Sequence, residues 1–121
     1  MKTQMLILLL FLPALAMAQN ITESEFKVYG ACGMCKDRIE NAASLDGVTT
    51  ANWSLETQML TLQYDADKVD LDDVHKNIAK AGHDTEKVRA EDDVYENLPA
   101  CCHYDRKEKE SNNGGSCCSS N

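Results

Sequence analysis

Between Cys35 and Pro99 the sequence has no proline, and the whole chain has two, Pro13 and Pro99. A second long hydrophobic run is missing as well. After the apolar stretch from Met5 to Ala16, nothing approaches the about 20 apolar residues that a membrane-spanning helix needs. Basic side chains are outnumbered, 12 against 20 acids, for a net charge of −8. Nucleic acid and anionic membranes repel such a surface, so neither is expected as a partner. The acids read as a solvated face, one that also suits a basic docking partner. No Ser/His/Asp arrangement, phosphate-binding loop, paired acid–base carboxylates or internal repeat stands out. The chain does not read as an enzyme.

What is there begins with a targeting segment. Lys2, the apolar run to Ala16 and the small-residue site Ala16-Met17-Ala18 form a signal peptide over residues 1–18, with the mature chain starting near Gln19. The apolar run is too short to anchor comfortably, and no cysteine follows it to take a lipid. The expectation is a periplasmic or secreted protein with no stable membrane insertion after cleavage. Loss of residues 1–18 removes Lys2 and no acid, so the acidic excess grows. The remainder is one small domain with a modest core. Export also places Cys32, Cys35, Cys101, Cys102, Cys117 and Cys118 where disulfides persist. Their pairing is not legible from spacing.

Periodicity organises the chain from about Ser24 to Val88. Phe26 and Val28 alternate as in a half-buried strand. Cys35, Ile39, Ala42 and Ala43 then fall at helical spacing, and Asp46-Gly47 is expected to end that helix. Ala51, Trp53 and Leu55 share one strand face, and Leu60, Leu62 and Tyr64 another, with a turn around Glu56-Thr57 making a hairpin. Leu71, Val74, Ile78 and Ala81 mark a second helix between an N-cap at Asp70 and Gly82. A last strand is expected over 85–90. The order β-α-β-β-α-β is the ferredoxin-like α+β plan, with a four-stranded antiparallel sheet and both helices on one face. The domain spans 19–90. A C-terminal extension follows over 91–110, with Val94, Tyr95 and Leu98 at packing spacing before Pro99. Residues 111–121, rich in Gly, Ser and Asn, are expected to be disordered.

The chemistry concentrates at Cys32-Gly33-Met34-Cys35, between the first strand and first helix, on what should be an exposed tip. A loop thiolate at i and a helix thiolate at i+3 can meet at one ion. Cys35 lies in the first helical turn, where unpaired backbone N–H groups favour negative charge, with Lys36 and Arg38 close by. Two thiolates suit Cu(I), Hg(II) or Zn(II). His83, after Gly82, is placed beside the tip and is the preferred third ligand, against an exposed loop histidine as the bland alternative. His75 adjoins the apolar stripe of the second helix and reads as packing. Cys101, Cys102 and His103 could cap the metal, form a second site or enter disulfides. Cys117 and Cys118 in the tail bind ions weakly or oxidise.

"CGMC" before "KDRIENAASLDGV", the "LTLQYD" strand and "IAKAGH" together resemble the heavy-metal-associated domain family of copper chaperones, copper-ATPase metal modules and the periplasmic mercury-binding protein. The resemblance runs from Glu25 to about Val88. It implies Cys32 and Cys35 as metal ligands, Cu(I) as the favoured ion with Hg(II) and Zn(II) as alternatives, and thiolate exchange with an exported metal-transport or efflux protein. A monomer is expected. Family members usually read G-M-x-C-x-x-C, with an inward methionine where this chain has Gly30; Trp53, Met34 or the C-terminal segment is left to fill that space. Two other functions compete. A thiol-disulfide oxidoreductase would use the C-x-x-C, but thioredoxins place it later and set a cis-proline opposite, which the proline-free stretch denies. A disulfide-stapled interaction module would have no use for a helix start at the cysteine pair.

Overall fold

The computed structural model describes residues 19–106. The expected signal peptide, the residues from 107 onward, and with them Cys117 and Cys118, lie outside the described residues. Strand β1 (Ile21–Lys27) is followed by helix α1 (Gly33–Ala43), strands β2 (Val48–Trp53) and β3 (Met59–Asp65), helix α2 (Leu71–Lys80), a short helix α3 (Asp92–Glu96) and a 3-10 turn at Ala100–Cys102. The sheet is antiparallel in the order β1-β3-β2. Strand β1 starts at Ile21, earlier than its apolar alternation indicates, because the length of β3 supplies partners down to Asp65.

Register puts Phe26, Leu60 and Trp53 side by side across the sheet, with Leu62 and Tyr64 next along β3 on the same face. Cys35, Ile39 and Ala43 of α1 and Val74 and Ile78 of α2 close over them as one buried cluster. Each large aliphatic side chain there contributes about 1.5–3 kcal/mol relative to exposure. Leu55, expected on the same face as Trp53, instead sits in the turn and is 48% exposed.

The expected fourth strand over 85–90 is a correction. Among the described residues the sheet has three strands, and only the bridge Val28–Thr85 marks where a fourth would run. The Tyr29 and Glu86 amides donate across to Asp84 and Lys27 carbonyls, and pairing then stops. The Thr85 hydroxyl oxygen accepts from the Lys87 and Val88 amides while the Thr85 amide donates to the Val88 carbonyl, so the chain turns back on itself. A side chain that satisfies backbone donors locally competes with the ladder.

The helix ends differ in the same spirit. Helix α1 stops at Ala43 rather than at Asp46-Gly47, where the Ser44 hydroxyl donates to the Glu40 carbonyl; Gly47 (φ 100°) shapes the entry to β2 instead. Helix α2 starts as expected, with the Asp70 carboxylate accepting from the Asp72 amide. It closes with paired bonds from the Gly82 amide to the Ala79 carbonyl and from the His83 amide to the Ile78 carbonyl, Gly82 holding φ 103°. That closure drives the residue after Gly82 inward.

Gly30 stands where the resemblance implies an inward methionine, and Trp53 fills the space. A Cβ placed at Gly30 would lie 2.8 Å from Trp53 Cη2 and 3.0 Å from Cys35 Cβ. The indole N–H donates to the Val28 carbonyl at 2.9 Å, which fixes the ring there. Met34, by contrast, is half exposed. Gly30→Met should therefore destabilise the fold by about 1–3 kcal/mol through overpacking. Combined with Trp53→Leu, which vacates the same volume, the loss should be smaller than the sum of the two single losses. Urea denaturation of the four proteins checks this, and simple additivity would refute the contact.

Candidate metal centre

Cys32 is the N-cap of α1, in extended backbone, and its carbonyl accepts from the Cys35 and Lys36 amides. This tight entry brings the Cys32 and Cys35 sulfurs to 3.4 Å. The Ala31 amide points at Cys35 Sγ, 3.3 Å away, so the loop and the helix start both aim donors at sulfur. Such donors favour thiolate over thiol. The pair is less exposed than its tip position implies. Cys35 is fully buried in the core, and Cys32 is half-buried.

The cover comes from the C-terminal extension. Cys102 is fully buried, with its sulfur 3.6 Å from Cys32 Sγ. The ligand atoms of Cys32, Cys35 and Cys102 all lie within 4.8 Å of one another, and all three are free thiols. Cys101 stays at the rim, its sulfur 4.0 Å from that of Cys102 and 3.4 Å from Met34 Sδ. His103 turns away and stacks on Tyr95. The Cys101-Cys102-His103 cluster is therefore split, and its middle member joins the first cysteine pair instead of building a second site with its neighbours.

Electrostatics separates the thiols. Burial opposes ionisation of Cys32, but the Cys35 backbone amide and the thiols of Cys35, Cys101 and Cys102 outweigh it and bring the group down to about 7. The hydrogen bond to Cys32, and then burial, push Cys101 up. Burial, and then the contacts with Cys35 and Cys32, push Cys102 up strongly. Near neutral pH Cys32 carries the developing negative charge and Cys102 remains a neutral donor beside it.

His83 is not among the side chains whose ligand atoms gather at the sulfur group. It is fully buried, not an exposed loop residue, and it lies against Tyr104 with ring centroids 5.5 Å apart. Its Nδ1 is 2.9 Å from the Tyr29 carbonyl oxygen. A carbonyl only accepts, so Nδ1 carries the proton and Nε2 is left as a bare lone pair, with no hydrogen-bond partner. Burial lowers the pKa of His83, so the ring stays neutral at ordinary pH. His75 is a packing residue: buried, against Phe26, and hydrogen-bonded to the Thr85 hydroxyl.

Three residues that hold the extension in place carry no signal in the sequence. The Tyr104 hydroxyl donates to the Gly82 carbonyl and accepts from the Asp84 amide, both at 2.8 Å. Arg106 grips the buried Asp84 carboxylate with two bonds of 2.7 and 2.8 Å and also donates to the Ala90 carbonyl. Nothing in the spacing of Asp84, Tyr104 and Arg106 announces the network. The apolar residues Tyr95 and Leu98 did announce a packed segment, and Leu98 sits against Gly82.

The Heavy-metal-associated domain matches residues 25–84. Copper chaperone CopZ of Staphylococcus aureus is 38% identical over 55 residues, which cover 45% of this chain and 81% of CopZ. The chain belongs to the heavy-metal-associated domain family. A solved CopZ metallochaperone superposes with a TM-score of 0.51 at 35% identity, over 53% of this chain and 98% of its own. The water-soluble region of the P-type ATPase CopA from Bacillus subtilis gives 0.53 at 30% identity, covering 57% of this chain and 47% of that one. The heavy-metal-associated domain match contains Cys32 and Cys35 and ends before Cys101 and Cys102.

The ordering of the thiols is open to direct measurement. In the metal-free reduced protein, alkylation of Cys32 by iodoacetamide, followed by peptide mass mapping, should rise with a midpoint at about pH 7. Cys102 should stay unreacted through that range. A Cys32 midpoint at the ordinary thiol value of about 8.5 would contradict the electrostatic picture.

Proposed function

We propose that this protein binds a soft heavy-metal ion, Cu(I) before Hg(II) or Zn(II), through Cys32 and Cys35, and passes it to or from a copper-transport protein. The observation that carries the reading is the pair of sulfurs 3.4 Å apart at the start of α1, one half-buried and one buried. Thiolate sulfur selects soft ions over the hard cations that carboxylates hold. Zn(II) is the weaker candidate because its structural sites take four ligands in a tetrahedron. The named relatives, a copper chaperone and a region of the P-type ATPase CopA, support the same cargo and a copper-transport protein as partner. Residues 1–18 support delivery outside the cytoplasm, with an exported partner domain there. No helix among the described residues is long and apolar enough to cross a membrane.

The chemistry required is ligand exchange, without bond-making on a substrate, so the role is that of a carrier and not of an enzyme. Cys32 is the ligand that an incoming partner thiolate can replace, since it is the more exposed of the two and sits in the loop. Cys35 holds the ion on the protein side, fixed by the helix and by the Ala31 amide.

Titration of the reduced protein with Cu(I) against a chromogenic chelator should show tight binding of one equivalent. Cys32→Ser with Cys35→Ser should abolish it. Because Cys35 is buried, circular dichroism of the variant must be recorded alongside, and Cys32→Ser alone should already lower the affinity by more than about tenfold. Full-strength binding in the folded double variant would reject the proposal.

A further inference from the structure

We propose that Cys102, supplied by the C-terminal extension, is the third thiolate of a closed trigonal site. The proposal rests on the Cys32–Cys35 reading above and adds a ligand from outside the matched domain.

Metal–sulfur distances of about 2.3 Å place the sulfurs of a linear two-coordinate ion about 4.6 Å apart, and those of a trigonal ion about 4.0 Å apart. Cys32 and Cys35 stand at 3.4 Å and Cys32 and Cys102 at 3.6 Å, with all three sulfurs inside 4.8 Å. A trigonal ion needs the cluster to open only slightly. A linear ion between Cys32 and Cys35 needs about twice that opening, while Cys102 presses on the same space.

The placement of Cys102 is built, not incidental. Upstream, Leu98 packs on Gly82, and Pro99 starts the 3-10 turn, its carbonyl accepting from the Cys102 amide at 2.8 Å. Downstream, Tyr104 and Arg106 fasten to Gly82 and Asp84 as described, and the Tyr95 hydroxyl donates to the Tyr104 carbonyl. Cys102 is thus held from both sides and has no solvent contact. Cys101, one residue earlier, is exposed; its thiol also reaches Cys32, but the ligand atoms that all lie within 4.8 Å of one another are those of Cys32, Cys35 and Cys102, so it is not the third ligand.

The exchange balances simply. As the Cys102–metal bond forms, its S–H bond breaks and the proton goes to solvent; on release, an incoming partner thiolate displaces Cys102, which takes a proton back, and Cys32 is the next ligand to be replaced. No electron moves. Two ligands belong to the domain and the third to a separate segment, so displacement of Cys102 leaves the ion on the Cys32–Cys35 pair.

The test is X-ray absorption at the copper edge on the full chain loaded with one equivalent of Cu(I), under a reductant that is not a thiol. Three sulfurs are expected in the natural protein and in Cys101→Ser, and two in Cys102→Ser. The Cys102→Ser protein should also lose at least about tenfold in affinity and give up Cu(I) faster to a competing chelator. Two sulfurs in the natural protein, which needs no variant to fold, would overturn the proposal and leave the Cys32–Cys35 site standing. So would three sulfurs retained in Cys102→Ser, or a copper–copper distance arising from ions shared between copies. Absence of tight binding in the natural protein would instead fail the underlying function.

Discussion

The buried carboxylate of Asp84 is the point on which the rest of the molecule turns. Its backbone carbonyl accepts from the Tyr29 amide and so ties the end of β1 to the loop after α2. Its amide donates to Tyr104, and its side chain takes two bonds from Arg106 and one from the Ala90 amide. Four segments meet at one residue. A buried ion pair contributes little against an apolar substitute, but removing one partner strands a charge at a cost of about 3–5 kcal/mol. What Asp84 contributes is therefore position. It fixes where the extension crosses the tip, and hence where Cys102 comes to rest.

Most of the frame was legible in the sequence because apolar spacing reports burial directly. Phe26, Leu60, Leu62, Val74 and Ile78 are all core residues, and Asp70 and Gly82 bound α2. The expected edge strand over 85–90 was not realised because the Thr85 hydroxyl oxygen takes the Lys87 and Val88 amides and the chain turns back there. Propensity and alternation carry no record of such local competition. The cysteine pair was legible as well, since its spacing and its place before a helix define it. The position of Cys102 was not. It depends on polar contacts between Asp84 and residues 20 or more positions away, and such contacts follow from the fold rather than from any pattern along the chain. The same gap explains His83, expected as the third ligand: the glycine before it was read correctly, but the turn it makes buries the ring outside the sulfur group.

The site thus divides its work between two kinds of structure. The loop at Ala31 and the first turn of α1 supply backbone donors that need no reorganisation when a sulfur becomes charged. The extension supplies a sulfur on a segment with its own anchors, outside the part shared with relatives. Holding and releasing an ion place opposite demands on rigidity. Assigning them to separate segments lets one tighten without stiffening the other.

The packing of Trp53 over Gly30 has an optical consequence. This is the chain's single tryptophan, and its ring shares the space above Gly30 with Cys35 Cβ. All indole emission therefore originates beside the sulfurs, in a dry and immobile setting. A heavy ion arriving there quenches it at close range, and loss of the fold moves it to longer wavelength. Occupancy and integrity thus become two separate readings of one intrinsic fluorophore, without any label attached to the protein.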